Sequence, residues 1–262
     1  MFGFTTSPRR IFEHDFLRSV VVTIVYEPIV VTEHQDVIKT SLLEYYPRLR
    51  NKNDSSLSIE FRPNEKTPIV NVGEEVAGYQ LISENGLDNM LMNNTTTVLN
   101  FSGATYKRFE QVLPIIDALS LLFGKIGVQQ IKKLSIRKLN VANFETNTLG
   151  TVFYDILATQ YSEKMIATMP ADENFVQHMM ATSMKDGEYK LNINYGIPPI
   201  LNTQSPIKGI FVEDIEILQE TTSTSVEIVD KLQVINQAVY DVFYGMNSDQ
   251  FKKYNMGYVE EQ

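Results

Sequence analysis

Residues 95–142 read TTTVLNFSGATYKRFEQVLPIIDALSLLFGKIGVQQIKKLSIRKLNVA, and the periods in this stretch decide the fold class. Thr97, Leu99 and Phe101 alternate with Val98, Asn100 and Ser102, the two-residue period of a strand. The period then changes. Phe109, Val112, Leu113, Ile116, Leu119, Phe123 and Ile126 recur at three- and four-residue steps. Such a stripe needs a helix of about six turns. Lys107, Arg108, Gln111 and Asp117 fall largely on the other side, so the helix lies on a layer. Pro114 inside the stripe removes a backbone donor and predicts a kink. A strand over 133–143 follows. Its apolar residues change sides near Arg137-Lys138, as at a β-bulge or in a central strand covered on different faces along its length.

Upstream, SVVVTIVYEPIVV (19–31) is a β-branched run that predicts a buried strand, with Pro28 at an edge or bulge. Thr32 and Gln35 have capping-box spacing and predict a helix that Pro47 ends. RLRNKNDSS (48–56) reads as a polar connection before a short strand, LSIEFRP, and residues 64–77 read as a loop. Two short strands then flank Glu84-Asn85-Gly86-Leu87, a tight-turn signal. The expected order is strand, helix, four strands, helix, strand.

Downstream, NFETNT (143–148) is the best boundary. It divides an α+β half at 1–143 from another at 144–262, unless the two form one continuous domain. A short helix is expected behind Thr148, residues 160–173 read as irregular, and a hairpin is expected around Asp186-Gly187. GIFVEDIEIL predicts a strand, and Thr224 with Glu227 caps the last long helix. The expected fold is α+β: largely antiparallel sheet covered by two long amphipathic helices, in one domain or two similar halves.

The chemistry is bounded mostly by exclusion. The 262 residues contain no cysteine, which rules out thiol catalysis, disulfides and cysteine-held metals. His14, His34 and His178 are not at metal-ligand spacing, and no nucleophile elbow, P-loop or dinucleotide fingerprint is present. Gly124 and Gly127 read as a helix C-cap. Glu213, Asp214 and Glu216 form one carboxylate cluster, read as a solvated strand face. No cofactor and no metal are expected, and the chain leans away from being an enzyme. There is no signal-peptide pattern at the N-terminus and no apolar run of ~18–20 residues, so a cytoplasmic protein without a membrane span is expected.

The net charge of −9 belongs to the second half: residues 1–140 hold 16 Lys/Arg and 15 Asp/Glu, whereas 141–262 hold 7 and 17. One concentrated positive feature remains. Lys132, Lys133, Arg137 and Lys138, with Lys107, Arg108 and Lys125 on the adjoining helix, are the candidate nucleic-acid-binding set.

The order of motifs resembles a prokaryotic family of sporadically distributed proteins of about this length. The resemblance runs over roughly residues 15–250. It rests on Tyr46-Pro47 closing a helix, on GYQLISENGLDNMLMNNTTTVLNFSG (78–103), and on YKRFEQVLPIIDALSLL (106–122). LSIRKLNVANFE (134–145), VEDIEI (212–217) and VDKLQVINQAVYDVFYGMNSD (229–249) complete it. The family commonly has a histidine in its closing helix where this chain has Gln233, so no role for that histidine carries over. The resemblance implies no catalytic residues. It implies an association with mobile elements or defence neighbourhoods, not a mechanism.

The leading expectation is a non-catalytic binding protein with a protein partner. The alternative is a protein that contacts nucleic acid through the basic strand at 132–138.

Overall fold

Leu17–Tyr26 (β1) places Val20, Val22, Ile24 and Tyr26 on one face, each almost fully buried, while Val21, Thr23 and Val25 on the other face are half-buried. That asymmetry, set by the two-residue period of a strand, repeats across the molecule. The computed structural model describes residues 1–10, 12, 16–60, 69–169, 177–200 and 205–257, without the side chains of 54–60, 69–75 and 221–222. After β1 come α1 (Gln35–Leu42), β2 (Arg48–Glu60), β3 (Ile69–Ile82), β4 (Asn89–Asn93), β5 (Thr96–Ser102) and α2 (Leu113–Lys125). The second part holds β6 (Ile131–Thr146), α3 (Leu149–Ile156), α4 (Thr159–Ala167), β7 (His178–Asp186), β8 (Tyr189–Ile197), β9 (Ile207–Ser223) and α5 (Ile228–Met246).

All nine strands form one antiparallel sheet in the order β2-β3-β4-β5-β1-β6-β9-β8-β7. The expected order of strand, helix, four strands, helix and strand is the one found. The two first strands of the chain's halves, β1 and β6, pair at the centre. Position 143 lies within β6, which runs on to Thr146 and pairs with β9 throughout that stretch. Hairpins turn at Gly86 (φ 75°) and Gly187 (φ 60°), the left-handed region that glycine enters without a Cβ penalty.

Apart from α1, which packs on α2, the helices contact side chains of the same sheet face. Phe123 of α2 meets Tyr26, and Phe153 of α3 meets Phe211 and His178. The Met165 carbonyl of α4 lies 3.0 Å from His178 Nε2. Ahead of α1, the Thr32 carbonyl accepts the Tyr79 hydroxyl, and Asn247, capping the end of α5, donates to Glu213. One core results, between the sheet and the helix layer.

Several local expectations need correction. Pro114 does not kink a long helix. A 3-10 turn at Phe109–Gln111 precedes α2, and Pro114 sits in the first turn, where its missing N–H costs nothing. Thr32 and Gln35 form no capping box, because Thr32 lies inside the 3-10 turn Val31–His34, whose cap position is Val30. The polar run 48–56 belongs to strand β2, and residues 69–77 belong to β3 rather than to a loop; residues 64–68 lie outside the described residues. β2 is an edge strand paired on one side only, so its residues need not be apolar. Residues 159–167 form α4, which buries little beyond Ser162 and Met165 and therefore shows no apolar stripe.

β6 contains no bulge at Arg137-Lys138 in its pairing with β9. Leu134 and Ile136 face the helices, and Leu139 and Val141 face the other way, half-buried. The capping box before α5 is present: the Thr224 N–H donates to Glu227 Oε2 at 2.8 Å, and the reciprocal bond forms. Replacing Thr224 with alanine should lower stability by about 1 kcal/mol, measured by urea unfolding. An unchanged midpoint would mean the cap is redundant.

Candidate functional site

Among the described residues, one face of the sheet has no helix on it. Strand register sets out its rows. One row runs from Arg50, Gln80, Leu91 and Val98 through Thr23 and Ser135 to Leu218, Lys190 and Lys185, one residue per strand. The next row passes from Asn89 and Asn100 through Val21 to Arg137, Glu216, Asn192 and Ser183. The Asn100 amide donates to Asn89 Oδ1 at 3.1 Å across that row.

Toward β7 the face holds a hollow of about 340 Å³, lined by Arg137, Ala181, Thr182, Ser183, Asn192, Asn194, Asp214 and Glu216. Its polar groups bind each other. Arg137 Nε and Nη2 donate to the two oxygens of Asp214 at 2.7 and 2.6 Å, and this bond holds the guanidinium pKa above its ordinary value. The Asn192 amide donates to Glu216 at 3.0 Å, and the Ser183 hydroxyl donates to Asn192 at 2.8 Å. Arg137 is half exposed, so the pair contributes little to stability, while it fixes the shape of the floor.

Charge on this face is mixed, with cations gathered at its two edges. At one edge β2 presents Arg48, Arg50 and Lys52, and at the other β8 and β7 present Lys190 and Lys185. Lys133, Arg137 and Lys208 lie between, against Glu145, Asp214, Glu216 and Glu220. By strand parity Asp54, Glu60 and Glu75 also fall on this face, so its strand positions hold eight cations and seven acids. Among the described residues the face is free of aromatics. Tyr26, Tyr79, Phe101, Tyr195 and Phe211 are buried on the helix side, and Phe144 and Tyr189 pack against the same core.

The seven candidate nucleic-acid residues are not brought together; Lys125, at the end of α2, reaches the Ser41 hydroxyl of α1. Lys133 and Arg137 are on the open face. Lys138 turns to the helix side, its ammonium 5.6 Å from the Tyr106 ring, near the Lys107-Arg108 segment that leads into α2. Lys132 sits in the register shift between Ile131 and Lys133 and is exposed. His14 lies outside the described residues. His34 and His178 are separate, and among the described residues no three His, Asp or Glu side chains are grouped to hold a metal.

The carboxylate cluster divides as well. Asp214 and Glu216 share the open face, as expected, whereas Glu213 is fully buried on the helix side. Asn140 and Asn247 amides donate to it at 3.1 Å. Phe16, Phe211, Phe243 and Phe251 surround a cavity of about 10 Å³ beside it, room for at most one water. Burial pushes its pKa up to about 7, against the two amide bonds that lower it. The sequence held a signal for this. Glu213 shares strand parity with Phe211, Ile215 and Ile217, so period two already places it on their face.

A scan against protein-family models finds no match to the chain, and a search of curated proteins finds none. No helix among the described residues is long and apolar enough to cross a membrane.

Proposed function

We propose that the chain is a non-catalytic binding protein whose partner docks on the open face of the sheet. The observation that carries this is the face itself: nine strands on which no helix of the described residues is seated, and a hollow of about 340 Å³ at one side. The charged and amide groups in the hollow are held by one another rather than left poised for a proton transfer. The carboxyl with the raised pKa, Glu213, lies on the opposite face beside a cavity too small for a substrate. The two halves, each a strand, helical segments, antiparallel strands and a closing helix that is long only in α5, read as an architectural repeat that doubles the width of the docking surface. The resemblance to the sporadically distributed family, which brings no catalytic residues, agrees with this reading.

The test is affinity capture from host lysate, with and without nuclease treatment. Asn143 and Asn194 are exposed on the open face, and Asn143→Trp with Asn194→Trp obstructs it. Leu121→Glu alters the outer surface of α2, where Leu121 is 69% exposed. Retained material should be lost with the tryptophan pair and kept with Leu121→Glu. The reverse pattern, with both variants folded by circular dichroism, would place docking on the helix layer and end the proposal.

A further inference from the structure

Independently of the docking reading, we infer that β7 is a self-association edge. A second copy of this chain adds its own β7 antiparallel to it, about a two-fold axis through Thr182. The outer strands of a sheet leave backbone N–H and C=O groups unpaired, and folded proteins blunt such edges with charges, prolines, bulges or shortness. β2, the outer strand on one side, has two of these devices. Arg48, Arg50 and Lys52 line its first residues, and its pairing shifts register at Lys52/Asn53. β7, the outer strand on the other side, runs for nine residues, HMMATSMKD, without proline, glycine or a shift in its pairing with β8. Its Lys and Asp, Lys185 and Asp186, stand only at its end. Among the described residues no backbone hydrogen bond reaches β7 from its outer side.

The strand is complementary to itself. With all nine residues paired, Thr182 faces Thr182 of the second copy, Ala181 faces Ser183, and Met180 faces Met184. Met179 then faces Lys185, and His178 faces Asp186. No like charges meet. Threonine against threonine and apolar against apolar are pairs that stabilise a sheet. Met180 and Met184 are half-buried at the margin of the core, and this register covers each with the other. Met179, 42% exposed, gains the Lys185 stem. The ladder adds roughly eight to ten backbone hydrogen bonds, since facing pairs alternately exchange two and none. A foreign strand imposes no two-fold symmetry on β7, so the self-match singles out a second copy.

The pairing also acts on the open face. Ala181, Thr182 and Ser183, the residues at the axis, form the β7 side of the hollow. Two copies joined there set their hollows side by side across the seam, on one sheet that runs through both.

Light scattering during gel filtration should give about 60 kDa, twice the 29.9 kDa of one chain. Thr182→Lys sets two ammonium groups against each other on the axis and should give a monomer, as should Thr182→Glu. Mixing the two variants should restore the dimer, with Lys opposite Glu, which separates a lost contact from a lost fold. Because the chain has no cysteine, a single introduced one reports the register. Thr182→Cys should oxidise to a disulfide-linked dimer, since facing residues lie about 4.5–5.5 Å apart at Cα. Lys185→Cys should not, because position 185 of the two copies stands six residues apart along the ladder, about 20 Å.

A monomeric wild-type mass at about 100 µM would overturn the inference. So would a dimer that survives Thr182→Lys, a mixture of folded variants that stays monomeric, or a disulfide at position 185 with none at 182.

Discussion

Replacing Phe123 with alanine should destabilise the protein by roughly 3–5 kcal/mol, with an unchanged fold in whatever remains native. Phe123 is fully buried where α2 meets the sheet, its ring centroid 5.0 Å from that of Tyr26 on β1. Ile116, Leu119 and Leu122 bury the rest of the stripe. Truncation removes the transfer energy of the ring and leaves a hole between two rigid layers that close on it only in part. The strand under it is the one that joins the two halves of the sheet, so the loss acts on the whole molecule. A neighbouring control is built into the helix. Leu121 is 69% exposed, two positions before Phe123, and Leu121→Ala should change stability by less than about 0.5 kcal/mol. Urea midpoints for both variants decide the point. Equal shifts would mean that α2 does not anchor the layer through this face.

The residues themselves explain which elements could be read in advance. Where one face is buried and the other is not, the chain writes the period plainly, as in Val20, Val22 and Ile24, or in Leu119, Phe123 and Ile126. Turn chemistry was equally legible, since Asn85-Gly86 and Asp186-Gly187 supply the positive φ that the hairpins use. The capping box at Thr224 and Glu227 has a spacing with a mechanism behind it. The same spacing failed at Thr32 and Gln35, because Thr32 lies inside a 3-10 turn capped by Val30, whereas Thr224 is itself the cap of the turn Ser225–Glu227.

Residues 48–56 of β2 read as a connection for a physical reason: an edge strand pairs through its backbone, and its residues need not be apolar. α4 was missed because it buries few residues. The candidate site was legible only in part. The basic residues were visible, but the sequence alone does not show that alternate positions of β6 divide Arg137 from Lys138. Nor does it show that Asp214, diagonal to Arg137 rather than opposite it, is the one that takes its guanidinium.

Stability should fall as pH rises from about 4.5 to about 7, and Glu213 is the reason. Its ordinary carboxyl pKa of 4.5 is pushed up to about 7 by burial among Phe16, Phe211, Phe243 and Phe251. Between those values the native state holds a proton that the unfolded chain has released, so folding takes up a proton. The stabilisation is complete below the unfolded value and is lost as pH passes the folded one. The full difference is roughly 3 kcal/mol.

Glu213→Gln isolates this contribution. The amide has nearly the same size and no charge. Its oxygen can accept from Asn247, and its NH2 group is met if the Asn140 amide turns to present its oxygen. Urea midpoints of both proteins at pH 4, 5, 6, 7 and 8 should lie closest at pH 4 and diverge steadily above about pH 4.5. By pH 8 the glutamine variant should be the more stable, by roughly 3 kcal/mol. Taking the difference between the two proteins cancels the titration of every other group they share. Parallel curves would show that Glu213 ionises in the folded protein as freely as in water. The aromatic enclosure would then have to admit solvent that a 10 Å³ cavity cannot hold.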